Sequence, residues 1–182
     1  MKGEHVFDFA RSALLFTRTL RELIHHLKYS DRVTLARPLG DILKGCLDRE
    51  TFTGSLIIPV PLHRSRERQR GFNQAELLAA RLGLPMNTRL LRRRKNTPSQ
   101  TGLTRDERRR NLASAFEVCG EIRGTVIVVD DVYTTGSTLN EVARTLKRAG
   151  AARVEALTVA RVCKDVYLDE ETAAEAGVSR TQ

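Results

Sequence analysis

The sequence predicts an α/β domain: a mostly parallel central sheet flanked by helices, with an N-terminal helical hood. Three observations point to it. The second half alternates short apolar runs with helical periodicity, strand–helix–strand, the order that builds a doubly wound sheet. The run Val126–Val129 is apolar at every position, as in a strand covered on both faces of a parallel sheet. Residues 1–50 instead repeat apolar side chains every three or four positions. A chain of 182 residues is one domain plus some excess at about 150 residues per domain. The expected organisation is a hood over 1–50, a core over 51–163 that includes a basic loop at 93–111, and a polar tail over 164–182.

Each element has its own signal. Phe9, Ala13, Phe16, Leu20, Leu23/Ile24 and Leu27 space out an amphipathic helix over about 8–28. Leu35, Leu39, Ile42/Leu43 and Leu47 space out a second, with Pro38 in its first turn or kinking it. The period then changes, and Ser55–Val60 is short, apolar and β-branched, a strand. Asn73–Leu82 is helical again, with Gly83 at its end. Residues 93–111 lack apolar periodicity and contain Pro98 and Gly102, which predicts a long loop; such loops are usually functional. Ala115–Val118 is a short strand and Thr125–Val129 a buried one. Thr138–Ala149 is a helix stopped by Gly150, and Arg153–Ala160 is a last strand.

Composition excludes several classes. Lys and Arg number 31 against 22 Asp and Glu, a net charge of +9. The segment 64–70 carries net +3 and 89–111 carries net +7, so the rest of the chain sums to −1. Such local clusters repel themselves unless an anion or solvent relieves them; a solvated surface with Arg stems lying flat is the plainer alternative. No apolar run approaches the ~18 residues of a membrane span. The N-terminus lacks the apolar stretch of a secretory signal. The three cysteines stand apart without a C-x-x-C pair, so neither a disulfide framework nor a zinc ribbon is encoded. The expectation is a cytoplasmic protein with an anionic partner.

The most informative stretch is Val126 to Leu139. A buried strand ends in Asp130 and Asp131, expected at its exposed tip, and Thr134-Thr135-Gly136-Ser137-Thr138 turns into a helix. Backbone N–H groups at a helix N-terminus, with the dipole there, favour a phosphate. Gly136 permits close backbone approach. The four hydroxyls can donate to phosphate oxygens. The carboxylates can accept from vicinal sugar hydroxyls or hold Mg2+, directly or through water. A ribose 5-phosphate answers both demands. The alternatives are an ordinary capping box of Thr138 and Glu141, which leaves the aspartates unexplained, and an acidic Mg2+ pocket without phosphate. No G-x-x-x-x-G-K-[ST] or G-x-G-x-x-G occurs, so neither a P-loop nor a dinucleotide fold has support.

Val126–Leu139 resembles the phosphoribosyl pyrophosphate (PRPP) motif of type I phosphoribosyltransferases. The chain further resembles the ComF (competence protein F) family of that superfamily. The resemblance rests on Leu23–Tyr29, on Pro59–Arg64 with Arg70-Gly-Phe-Asn-Gln74, on Pro98–Leu103, and on Arg108–Leu112 with Ala115-Phe116. It covers about residues 20–162. Many members carry an N-terminal four-cysteine zinc ribbon, and this sequence starts after the place where it would lie; loss of the ribbon and a truncated or misassigned start both stay open.

The resemblance implies a type I phosphoribosyltransferase-like fold, PRPP as ligand and Mg2+ as cofactor. It implies 5-phosphate binding by Thr134, Thr135, Gly136, Ser137 and Thr138, and ribose and metal binding by Asp130 and Asp131. Leu62, His63 and Arg64 become the pyrophosphate loop; His63 as a strand-end surface residue stays open, as does Asn73 as a cap or a ligand contact. The loop 93–111 resembles the flexible lid of these enzymes, with Gln100, Arg109 and Asn111 as candidates. Arg108 joins the two aspartates as a candidate catalytic residue. His25 and His26 are adjacent and so do not share a helix face; His26 is read as exposed or half-buried, not a metal ligand. Three functions compete: transfer of the phosphoribosyl group to an amine or base acceptor, a non-catalytic module acting in DNA uptake or processing, and a PRPP-sensing regulator. The basic segments suit single-stranded DNA, although only 5% of residues are aromatic and only Phe72 adjoins a basic cluster. A DNA-processing protein partner and homo-oligomerisation remain open.

Overall fold

The computed structural model describes residues 5–29, 32–48, 50–95 and 114–163. Its centre is a four-stranded parallel sheet in the order β1-β6-β5-β2. The strands are β1 (Phe9–Leu15), β2 (Leu56–Pro59), β5 (Thr125–Tyr133) and β6 (Arg153–Arg161). The helices are α1 (Arg18–Tyr29), α2 (Ala36–Gly45), α3 (Arg64–Arg70), α4 (Gln74–Ala79) and α5 (Ser137–Arg148). A two-stranded antiparallel ribbon, β3 (Leu91–Arg93) with β4 (Phe116–Val118), stands apart from the main sheet.

β5 and β6 are apolar on both faces because both faces are covered, and alternate side chains feed two cores. Val126, Val128, Val154 and Ala156 pack with Leu139, Val142, Ala143 and Leu146 of α5 and with Leu91 and Phe116 of the ribbon. Ile127, Val129, Leu157 and Val159 pack on the other side with Leu20, Ile24 and Leu27 of α1, Leu39 and Leu43 of α2, and Leu78 of α4. Pro38 lies in the first turn of α2, where its missing N–H forfeits no helical bond. Gly40 lets α2 approach α4: a Cβ there would come within 3.2 Å of the Leu78 carbonyl.

The largest departure from expectation is at the N-terminus. Residues 9–15 do not form the first half of a helix; they form strand β1, paired with β6 in the register Phe9↔Glu155 to Leu15↔Arg161. The hood expected over 1–50 therefore starts at Arg18, and Phe9–Leu15 belongs to the central sheet. The reason is tertiary. β6 needs a partner for its outer edge, and Phe9–Leu15 fits a half-buried edge position as readily as a helix face. Arg11 in that strand is held by the core's rim. Its guanidinium donates to the Cys46 carbonyl and Thr51 Oγ1, both at 3.2 Å, and lies over the Phe9 and Phe52 rings.

A second finding is Glu155, fully buried in β6. Its carboxylate accepts from the backbone N–H of Thr53 (3.0 Å) and Gly54 (3.1 Å), from the Thr53 hydroxyl (3.0 Å) and from Arg153 Nε (2.9 Å). A buried charge is tolerable when it is this fully satisfied. These bonds fix the approach to β2.

Candidate functional site

The candidate site lies at the C-terminal edge of the sheet, where β2 and β5 run side by side; Val60 N–H still bonds the Val129 carbonyl at 2.9 Å. The segments that leave these two strands therefore emerge at the same edge, as expected for ligand sites in open α/β sheets.

On β5 the expected exposed tip is not where the aspartates sit. The strand continues to Tyr133, so Asp130 and Asp131 are within it, only 9% and 5% exposed. Continued pairing with β6 at Asp130↔Thr158 and Val132↔Ala160 carries the strand past them. Asp130 Oδ1 accepts from the Asp131 backbone N–H at 2.9 Å. The Asp131 carboxylate is ion-paired with Lys28 at the end of α1. Burial and then the neighbouring Asp131 charge push the Asp130 carboxyl well above the usual carboxylate range. Burial acts to raise Asp131 too, but the Lys28 ammonium overcomes it and holds Asp131 below its ordinary value. Lys28 is held above its own, since Asp131 outweighs the burial that would lower it.

The turn after β5 has the anticipated form. Gly136 precedes α5 with φ +74°, and a Cβ there would come within 2.8 Å of the Tyr133 ring. Only glycine satisfies both conditions without strain. Thr135 Oγ1 and Ser137 Oγ are hydrogen-bonded at 2.8 Å. Thr134 is exposed, and Thr135, Ser137 and Thr138 are half-buried. The Thr138–Glu141 capping box does not form. Glu141 accepts from the Ser114 N–H at 2.9 Å and pairs with Arg144. Gly136 has no side chain with which to cap α5, so this 12-residue helix presents its N-terminus to the edge beside four hydroxyls.

After β2, Leu62 and His63 are half-buried and Arg64 is exposed. His63 is the N-cap of the helix α3, which the sequence pattern does not predict: its Nδ1 accepts from the Ser65 N–H at 3.3 Å and shares a 2.8 Å hydrogen bond with Ser65 Oγ. Gly71 ends α3 with φ +81°. Asn73 proves to be a cap: its Oδ1 accepts from the Ala75 N–H at 3.0 Å, and its Nδ2 donates to the Val60 carbonyl at 3.1 Å. It thereby ties α4 to the end of β2.

Three side chains at this edge are not singled out by the sequence. Lys28 is one; the stretch Leu23–Tyr29 carries the family resemblance, but nothing in its spacing links it to β5. Arg93 is another. It lies in strand β3, not in the loop expected to begin there, and packs over the Phe116 ring. Burial, then the Arg66 charge, depress its guanidinium, while the Asp130 charge opposes them. Tyr29 is the third, 67% exposed, with the Arg70 guanidinium 5.0 Å from its ring centroid and the His25 ring at 4.9 Å. Gln100, Arg108, Arg109 and Asn111 lie outside the described residues.

Among the described residues, no three His, Cys, Asp or Glu side chains gather as a metal centre. The donor set is two adjacent carboxylates, one already paired to an ammonium. That fits Mg2+ held by one or two carboxylates together with ligand oxygens and water, not by a protein cage. No helix among the described residues is long and apolar enough to cross a membrane.

Comparison with known proteins agrees with the fold. Residues 68–176 match the family described as phosphoribosyl transferase domain. The chain is 34% identical to competence protein F of Haemophilus influenzae over 159 residues, covering 80% of this chain and 69% of that one. It is 36% identical to the DNA utilization protein YhgH of Salmonella typhi, with the same coverage. It is 38% identical to competence protein ComFC of Bacillus subtilis over 108 residues, 58% of this chain and 44% of that one. Among solved structures, the orotate phosphoribosyltransferase of Aeropyrum pernix overlaps at 20% identity and a TM-score of 0.44, covering 86% of this chain and 80% of that one. The chain belongs to the phosphoribosyl transferase domain family, in its competence protein F group.

Proposed function

We propose that the protein binds PRPP with Mg2+ at the C-terminal edge of β5 and transfers the phosphoribosyl group to an amine or base acceptor, releasing pyrophosphate. The observation that carries this reading is that β5 bears an acidic pair among its last four residues and runs by a hydroxyl-bearing turn into a helix N-terminus. The 5-phosphate is assigned to the turn Thr134–Thr138, which carries four hydroxyls and leads into the N-terminus of α5. The ribose hydroxyls are assigned to Asp130 and Asp131, once Lys28 gives way. The pyrophosphate is assigned to the edge after β2, at Leu62–Arg64, with charge from Arg66 and Arg93.

In the reaction the C1–O bond to pyrophosphate breaks, its electron pair leaves with the pyrophosphate, and the acceptor's lone pair forms the new bond to C1. The acceptor's proton passes to a base or to solvent. When bound, Mg2+ supplies neutralisation of the departing phosphates. The chain's own part is positioning and fixed charge: the turn anchors one end of the ligand and the arginines the other, so C1 is held between them.

Calorimetry with PRPP and Mg2+ tests binding, and pyrophosphate release with a panel of acceptors tests turnover. Heat of binding that is lost in Asp131→Asn is the expected result. No heat from the intact protein, and no effect of Asp131→Asn, would overturn the reading. Binding without release across the panel would make the protein a PRPP sensor.

A second reading has its own observation. Folding brings exposed Tyr29 against Arg70 at the end of α3, whose Arg64 and Arg68 are also exposed. A stackable ring amid cations is how single-stranded nucleic acid is held without sequence preference. Relatives named for competence and DNA utilization agree with that reading. Affinity for a single-stranded oligonucleotide should fall steeply with salt, and Arg68→Ala should flatten the slope by about one unit. Salt-independent or absent binding would remove it.

A further inference from the structure

At the end of α1 two consecutive residues grip different parts of the site. The Lys28 ammonium is ion-paired with Asp131, whose side chain is only 7% exposed. Tyr29 lies against Arg70 of α3. The buried side of the same helix, Leu20, Ile24 and Leu27, is locked into the core beneath it. Lys28 therefore reaches Asp131 from a helix that cannot rotate freely, and its amine takes the place at the carboxylate that a ligand hydroxyl or a hydrated cation would need.

We propose that Lys28 is a displaceable counter-ion carried by the hood: in the ligand-free protein it blocks the acidic pair against divalent cations, and an incoming anionic ligand draws it away. The inference rests on the phosphoribosyl reading of this strand end. Its physical basis is competition. An ammonium in contact with Asp131 both satisfies that carboxylate and repels a second cation from it. A ligand bearing pyrophosphate offers Lys28 another set of acceptors and brings its own Mg2+, so it can open the pair where the free metal cannot. Arg70, near enough to Lys28 to oppose its charge, favours its departure toward an anion.

The test is a Mn2+ titration of the full chain without PRPP, read by electron paramagnetic resonance. Wild type and Lys28→Arg should bind weakly. Lys28→Met and Lys28→Gln should bind at least about ten-fold more tightly, and Lys28→Met combined with Asp131→Asn should return to weak binding. Equal affinity in wild type and both neutral variants, their fold checked by circular dichroism, would overturn the proposal. Should those variants not fold, reductive methylation of wild-type Lys28, read by mass spectrometry, decides. Lys28 should react more slowly than exposed Lys44. Mg2+ alone should leave its rate unchanged, and PRPP with Mg2+ should change it, because the ammonium exchanges Asp131 for a different set of acceptors. A change with Mg2+ alone, or an unaltered rate while calorimetry shows PRPP bound, would overturn the inference. A failure of PRPP to bind overturns the phosphoribosyl reading instead and leaves the Mn2+ and Mg2+ arms to decide the role of Lys28.

Discussion

Replacing Gly136 by alanine tests the turn after β5 on two separable grounds. The first is conformational: φ is +74°, and a side-chain-bearing residue there loses about 1–2 kcal/mol relative to glycine. The second is steric. The new methyl would lie 2.8 Å from Tyr133 Cε2, 3.1 Å from its hydroxyl and 3.3 Å from Cζ. That is roughly 0.7 Å inside a normal carbon–carbon contact of about 3.5 Å. Tyr133 cannot simply yield, because its ring is 8% exposed, edge-on to Phe7 at 6.1 Å and under the Arg161 guanidinium at 5.1 Å. Overpacking of this kind costs about 1–3 kcal/mol. Gly136→Ala should therefore lose about 2–5 kcal/mol in urea unfolding followed by circular dichroism. Measuring it in a Tyr133→Leu background separates the two parts, since there only the conformational part, about 1–2 kcal/mol, should remain. A loss below about 0.5 kcal/mol in the wild-type background would refute the reasoning, and so would an undiminished loss in the Tyr133→Leu background.

Other substitutions test other elements. Glu155→Ala leaves the Thr53 and Gly54 N–H groups and Arg153 without their acceptor, and should cost about 3–5 kcal/mol by denaturant titration. Asp130→Asn should stabilise the protein at neutral pH. The raised carboxyl binds its proton more tightly folded than unfolded, so wild type loses stability as pH rises from the unfolded pKa toward the folded one. The advantage of the variant should therefore vanish in melts below about pH 4. Asp131 has the opposite sign: its stabilisation is present above the unfolded pKa and is lost as pH falls through its depressed folded value, so Asp131→Asn should be the less stable protein at pH 7. Asn73→Ala removes the cap of α4 and should cost about 1 kcal/mol, with more if the Val60 carbonyl stays buried and unpaired.

The legibility of each element in the sequence tracks how local its signals are. β2, β5, α5 and β6 were legible because burial on both faces, β-branched runs and glycine stops are written within each segment. β1 was not, since Phe9–Leu15 satisfies helical spacing about as well as an edge strand does, and only the open flank of β6 decides between them. α3 was hidden because RSRERQR has no apolar periodicity; it is a helix by virtue of its caps, His63 and Gly71. In the site, the hydroxyl-lined turn was readable residue by residue. The burial of Asp130 and Asp131 was not, because it comes from continued pairing with β6 and, at Asp131, from Lys28, about a hundred positions away in the chain. The part played by Arg93 was missed for a similar reason: it is one of several arginines in a row, and only the β3–β4 ribbon chooses which of them is half-buried.

The placing of β1 has a bearing on how the chain is made. Ser12 meets Thr158 across a sequence separation of 146, and among the described residues β6 is the one neighbour of that flank strand in the sheet. During synthesis Phe9–Leu15 emerges well before Arg153–Arg161 and must wait for it, unzipped. Such distant pairings are slow to form and leave a sticky ribbon on show in the meantime. A lone arginine at its middle, Arg11, puts charge into that waiting ribbon, and the same side chain later becomes a bolt across Phe9 and Phe52.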